Sequence, residues 1–156
     1  KIMRNGNFLF GNLSEISPKE LPNADIITGK IILQPLSLTS YRKRELYTIM
    51  QYSINKGTYN IITHILPKMF LLEAPPIILS KNRGEEFRHI LESYAKIGYN
   101  ITYQVFEERA YSGHPVIGKQ LYLLGIRSDL ESGEYYFPEP QYSNYSSNIY
   151  TVIETK

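Results

Sequence analysis

The residues that could do chemistry in this chain follow two short apolar runs. Gln34 comes directly after Ile31–Leu33, and Glu73 comes directly after Met69–Leu72. A carboxamide and a carboxylate at the ends of buried strands can bind a polar ligand or hold a proton. The chain has no cysteine, which excludes disulfides, thiolate metal sites and a cysteine nucleophile. Its three histidines match no zinc spacing, so we predict no metal site.

A basic cluster offers a different chemistry. Arg42, Lys43 and Arg44 follow Tyr41, and such a cluster can contact nucleic-acid phosphates. The same pattern is also typical of a solvated loop. A formal net charge of +2 is too small to indicate nucleic acid by itself. The dipeptide Gln34-Pro35 also allows two interpretations. It can belong to a loop that faces DNA, or it can form a tight turn after a strand.

The apolar patterning predicts the elements that must position these residues. Short, mostly apolar or alternating runs predict strands at residues 24–29, 69–72, 101–105 and 121–126. Helical spacing of apolar residues predicts helices at residues 45–52, 61–66 and 85–97. We expect Asn55–Gly57 to stop the first helix and Gly98 to cap the last. The first 24 residues read as turns, and residues from about 132 to 156 as an irregular tail.

Alternating strands and helices predict an α/β layered sheet. With 156 residues and 42% apolar residues, the chain suits a single domain, and no apolar run is long enough to span a membrane. Ligands of such sheets bind at the carboxyl ends of the strands. We therefore expect residues 29–34 and 73–76 to meet at the functional edge.

Several motifs, in order and in spacing, resemble those of the DNA cytosine-5 methyltransferases. The run at residues 72–76, Leu-Glu-Ala-Pro-Pro, is similar to the family's Glu-Asn-Val-Pro motif. Residues 25–37 align with the strand and loop that carry Pro-Cys-Gln-x-x-Ser, and Gln34 and Ser37 are kept. The Gly-Ile-Arg at residues 125–127 matches a strand end of the family. The resemblance implies a Rossmann-like, S-adenosylmethionine-dependent methyltransferase fold in three α/β/α layers, incomplete at both ends of this sequence.

The family's chemistry needs residues that this chain has largely replaced. In the family, a cysteine thiolate attacks C6 of a flipped cytosine, a glutamate contacts the base, and two arginines orient the base and the thiolate. Here Leu33 stands at the nucleophile position, Ala74 replaces the asparagine next to the glutamate, and Gly118 and Gln120 fall where the arginines belong. Only Glu73 survives, either as a residual catalytic acid or as a strand-end carboxylate bonded to nearby backbone.

The cofactor side of the resemblance is equally incomplete. The family's Phe-x-Gly-x-Gly motif, which lets the backbone approach S-adenosylmethionine, would lie before Lys1. Asn12 stands where an aspartate contacts the adenine, and Lys30 replaces a glycine of the loop that carries the nucleophile. We expect S-adenosylmethionine to bind only if the missing N-terminal motif is supplied.

These observations favour a single degenerate methyltransferase-like domain over residues 1–156, with no activity alone. We expect a structural or regulatory role in DNA methylation or restriction-modification, inside the cell and without a membrane. Its partners would be an active methyltransferase or a complementary subunit, and DNA. The alternatives are a nucleic-acid-binding module that reuses the fold through Gln34 and residues 42–44, a fragment of an S-adenosylmethionine-dependent DNA methyltransferase, and an enzyme with rewired chemistry.

Overall fold

A computed structural model describes residues 3–5, 8–11, 13–33, 55–113, 118–130 and 135–142. Its strands, in chain order, are β1 (Met3–Asn5), β2 (Phe8–Phe10), β3 (Ile26–Lys30), β4 (Met69–Ala74), β5 (Tyr99–Glu107) and β6 (Lys119–Arg127). The first two form an antiparallel hairpin. The other four form one sheet in the order β3-β4-β6-β5. β3 and β4 are parallel, whereas β6 is antiparallel to both of its neighbours. The predicted α/β class is confirmed.

In the described residues, three α-helices accompany the sheet. The first, α1, is described over residues 55–65, α2 is Glu85–Lys96, and α3 is Glu108–Ser112. The prediction that Asn55–Gly57 stops a helix is wrong, because these residues are helical. Gly57 serves close packing instead, since a Cβ there would lie 2.9 Å from the carbonyl carbon of Leu13. The predicted helix at residues 45–52 lies outside the described residues.

The helix predicted at residues 85–97 is confirmed as α2. Gly98 follows it with a φ of 90°, the left-handed conformation that glycine adopts without strain. The strand predicted at residues 24–29 is shifted to β3, and Gly29 lies inside it. A Cβ on Gly29 would lie only 3.2 Å from Leu72, so this glycine allows close packing and does not end the strand.

The core lies between one face of the sheet and the first two helices. Along β4 and β6, side chains alternate between the faces, and those of Phe70, Leu72, Leu121 and Leu123 are fully buried on the same side. Ile62 of α1 and Phe87 and Tyr94 of α2 complete this cluster. We call this side the covered face. The opposite side, which carries the side chains of residues 26, 28, 30, 69, 71 and 73, is called the open face.

The end of the sheet where β4 begins is fixed by hydrogen bonds. The Tyr99 hydroxyl donates to the Pro67 carbonyl at 2.7 Å, and Arg127 donates to the Leu66 carbonyl at 2.6 Å. Arg127 also donates to Asp129, and this bond holds the pKa of the Asp129 carboxyl below its usual value. These contacts anchor the turn between α1 and β4, and so fix the start of the strand that ends at Glu73 and Ala74.

Candidate functional site

The carboxyl edge, where β3 and β4 end, brings together two charged residues. Lys30 and Glu73 are register partners in the parallel ladder, and the Lys30 ammonium lies 2.8 Å from a Glu73 carboxylate oxygen. The side chains are 57% and 29% exposed, so the pair is reached by solvent. This confirms that the two segments meet at one edge. Among the described residues, the Glu73 carboxylate is paired with the Lys30 side chain and not with nearby backbone.

The segment after β3 is apolar and held in place. The Ile31 amide donates to the Glu73 carbonyl at 2.7 Å, and the Ile31 side chain is buried. Asn55 of α1 binds the next residue at two points, since its amide accepts from the Ile32 N–H at 3.1 Å and donates to the Ile32 carbonyl at 3.0 Å. Leu33 then packs half-buried against the core. The segment therefore offers no ionisable or nucleophilic side chain to the edge.

A cavity of about 370 Å³ opens beside the ion pair. It is lined by Thr28, Gly29, Lys30, Leu71, Glu73 and Tyr122. Tyr122 of β6 is the register partner of Glu73, and its ring packs edge-on against Phe106. The cavity can hold a small polar group against one balanced charge pair. Within the described residues there is no cluster of three metal-ligating side chains and no helix long and apolar enough to cross a membrane.

A larger cavity of about 740 Å³ lies between the first two helices. Its polar rim includes the Lys81–Glu86 ion pair at 2.9 Å, and its wall includes Tyr94, whose pKa is raised above its usual range by burial. It reaches the sheet at Ile31 and is also lined by Asn55, but its lining includes none of the candidate catalytic, cofactor-binding or DNA-contacting residues predicted from the sequence. We therefore place the candidate site at the carboxyl edge.

The structure places only some of the predicted site residues. Glu73 and Leu33 lie at the carboxyl edge as expected. Asn12, Gln34, Arg42, Lys43 and Arg44 lie outside the described residues, so their predicted roles remain predictions. Gly118 and Gln120 are the residues expected where the family has its two arginines. They flank Lys119, the first residue of β6, and lie at the same edge. Lys119 between them lies 3.6 Å from a Glu107 carboxylate oxygen.

Two residues of the site were not identified as site residues from the sequence. Lys30 could have been identified as the partner of Glu73, because each ends a strand and neighbouring parallel strands end at the same edge. Asn55 had no such signal, since it was expected to end a helix and it binds a segment more than 20 residues away.

Comparison with known proteins shows a consistent set of relatives. The sequence model of the family described as C-5 cytosine-specific DNA methylase matches residues 2–155. Type II methyltransferase M.BsuFI of Bacillus subtilis is 28% identical over 83% of this chain, and M.NgoBI of Neisseria gonorrhoeae is 28% identical over 84%. These matches cover only 31% and 39% of the two relatives, so the chain spans about a third of their length.

Solved structures show the same fold. The S. pombe Dnmt2 methyltransferase matches 80% of this chain with a TM-score of 0.60 at 17% identity, over 37% of its own length. The Entamoeba histolytica methyltransferase EhMeth matches 86% with a TM-score of 0.60 at 20% identity, over 42% of its length. The described sheet and helices are thus part of a Rossmann-like methyltransferase fold, and the chain belongs to the C-5 cytosine-specific DNA methylase family.

Proposed function

We propose that this chain is a non-catalytic part of a DNA cytosine-5 methyltransferase system, with a structural or regulatory role. The observation that carries the proposal is Leu33. The resemblance of residues 25–37 to the family's motif aligns it with the nucleophilic cysteine. It packs against the core, and the chain contains no cysteine that could replace it. An aliphatic side chain has no electron pair or proton to give in covalent catalysis.

The state of Glu73 supports the same proposal. Its carboxylate, which in the family contacts the cytosine base, is here paired with the Lys30 ammonium at 2.8 Å. A base that binds Glu73 has to share or displace this partner. Lys30 stands where the family has a glycine, so this competing cation is a feature of this chain rather than of the family pattern.

The cofactor and the substrate are part of the proposal. Members of the family depend on S-adenosylmethionine, and the matched relatives are named as methyltransferases. The cofactor would bind where the family's glycine motif accompanies this part of the fold, and DNA would be the substrate of that assembly. The assembly would act inside the cell, where DNA is.

The test is methyl transfer by the Leu33→Cys variant. We expect no transfer from S-adenosylmethionine to cytosine-containing DNA, because the two arginines would still be missing. Leu33→Ser is the matched control for the loss of apolar packing without a thiol. Methyl transfer by Leu33→Cys above that of Leu33→Ser would overturn the proposal, since one side chain would then be all that the chain lacked.

The fragment alternative is favoured by one observation, the share of the relatives that the chain spans. The fragment alternative and the non-catalytic proposal differ in whether methyl transfer is expected once the rest of the family's fold is present. If the chain is a piece of a working enzyme, adding the missing part should restore methyl transfer through a nucleophile on this chain. The chain contains no cysteine, so the described carboxyl edge has no thiol to play that role.

Nucleic-acid binding is tested separately, because its candidate residues lie outside the described part. Contacts from Arg42, Lys43 and Arg44 to phosphates would make DNA affinity fall steeply with salt. Lys43→Ala and Arg44→Ala would then weaken binding equally for all sequences. Affinity that does not change with salt would exclude this alternative.

A further inference from the structure

We propose that the cavity of about 740 Å³ between α1 and α2 binds a small uncharged aromatic heterocycle, whose acceptor atom takes a hydrogen bond from the Tyr94 hydroxyl. This inference goes beyond the proposed function and does not depend on it. The cavity beside the Lys30–Glu73 pair is a different one, since the two cavities share no described lining residue.

The Tyr94 hydroxyl is a donor that the described residues leave without an acceptor. The side chain is only 4% exposed, and its ring packs against Phe70 at a centroid distance of 4.6 Å. Tyr99, which is similarly buried in the same cluster, donates its hydroxyl to the Pro67 carbonyl at 2.7 Å. No described residue accepts such a bond from Tyr94, and its oxygen is not fully enclosed. The hydroxyl is therefore open to the cavity that Tyr94 lines, where a bound acceptor can satisfy it.

This hydroxyl keeps its proton at neutral pH. Burial, with a smaller effect of the neighbouring Tyr59, raises the pKa of Tyr94. A protonated phenol donates to a neutral acceptor such as a carbonyl oxygen or a ring nitrogen. The ligand therefore needs an acceptor atom at the point where it meets Tyr94.

The charged groups around the cavity balance one another. Besides His89, the charged residues of its described lining are two lysines and two glutamates. One of each forms the Lys81–Glu86 pair at 2.9 Å. A charged ligand would lose its hydration in this cavity without gaining a surplus of opposite charge, which the burial of an ion requires. The lining therefore favours an uncharged ligand.

The wall next to the Tyr94 hydroxyl is aromatic and apolar. The rings of Tyr59 and Tyr94 lie with their centroids 5.5 Å apart and their planes inclined by 58°, and Ile31 and Ile90 also line the cavity. Aromatic surfaces of this kind pack against a further flat ring, edge-on or offset. The volume is typical of a site for a small molecule. A flat heterocycle thus meets both the apolar wall and the donor.

A ligand in this cavity would also contact the residues that hold the carboxyl edge. Ile31 lines the cavity, and so does Asn55, whose side chain binds the Ile32 peptide group at 3.1 and 3.0 Å. We therefore expect binding to change the environment of the Ile32 amide, directly before Leu33.

The experiment is an NMR titration of the whole chain with quinoline, an uncharged bicyclic ring whose nitrogen accepts a hydrogen bond. A ligand of this size binds a fitting cavity with a dissociation constant of about 1 mM. We expect saturable shifts of the Ile32, Ile90 and Ser93 amides. No saturable shift up to about 10 mM quinoline, or shifts confined to residues outside the cavity, would overturn the proposal.

Tyr94→Phe separates the hydrogen bond from the aromatic wall. It should weaken quinoline binding by about 5- to 10-fold and leave the melting temperature unchanged, because no described residue accepts from this hydroxyl. Tyr103→Phe is the matched control, since Tyr103 is 47% exposed and lies outside the described lining. Equal affinity in Tyr94→Phe and the parent would overturn the proposal. So would a lower melting temperature of Tyr94→Phe, because the hydroxyl would then have an acceptor within the chain.

A second pair of variants locates the ligand without changing Tyr94. Ser93→Phe puts a ring into the cavity, whereas Glu92→Phe puts the same ring on an exposed position of α2 outside the lining. Ser93→Phe should abolish the saturable shifts, and Glu92→Phe should keep them. Equal binding of quinoline to both variants would place the ligand elsewhere and overturn the proposal.

Discussion

Gly125 provides the sharpest test of how the sheet is assembled. It lies in β6 directly opposite Phe70 of β4. A Cβ at this position would lie 2.3 Å from two ring carbons of Phe70. That ring is fully buried between Tyr94, at a centroid distance of 4.6 Å, and Tyr99, at 5.0 Å. Gly125→Ala therefore forces an aromatic ring to move within a packed core.

The size of the effect follows from these distances. Non-bonded carbons in contact lie about 3.5–4.0 Å apart, so the ring has to move by more than about 1 Å. Overpacking of this kind costs about 1–3 kcal/mol, and we expect the upper end because two further rings confine the motion. At about 2–4 °C per kcal/mol for a chain of this size, the melting temperature should fall by roughly 6–12 °C.

The assay is thermal and urea unfolding of a double-mutant cycle. Phe70→Leu removes ring atoms that meet the new methyl group, so the double variant should lose less stability than the sum of the single losses. Gly118→Ala is the control, because its Cβ would meet only the end of the flexible Glu108 side chain at 3.3 Å. A Gly125→Ala variant within about 0.5 kcal/mol of the parent, or an additive cycle, would refute the register of β4 and β6.

Three further changes test the site and its support. Tyr99→Phe removes a hydroxyl that donates to a buried carbonyl, and unfolding in urea should show a loss of about 1–2 kcal/mol. Lys30→Met breaks the partly exposed pair with Glu73, so stability should change by less than about 1 kcal/mol, and no methyl transfer should appear. Asn55→Ala leaves the Ile32 peptide group without its two bonds, and hydrogen exchange at that amide should become faster while core amides stay protected. An unchanged rate at Ile32 would show that this amide is held by another contact.

Much of the sheet, α2 and the end of α1, where residues 61–66 predict a helix, could be predicted from local patterns. The continuous apolar run in β4 and the helical spacing in α2 are properties of neighbouring residues, and burial of those residues is what stabilises each element. The hairpin of β1 and β2 gave no comparable signal, because each strand has only three residues and the surrounding sequence reads as turns.

The site was less predictable because it depends on register and on distant contacts. Lys30 and Glu73 are separated by 43 residues, and only the pairing of their strands makes them partners. The sequence predicts that a helix ends at Gly57 and a strand at Gly29, yet both glycines allow close packing that depends on the position of another element. Tertiary packing overrode the local preference of glycine in each case.

The central claim is that this chain does not supply the catalytic nucleophile. The most direct measurement is transfer of a labelled methyl group from S-adenosylmethionine to cytosine-containing DNA by the unmodified, purified chain at a concentration equal to that of the DNA. We expect no incorporation above the background measured without protein. Incorporation that grows with time and with chain concentration would contradict it, because Leu33 cannot form the bond to cytosine that the family's reaction requires.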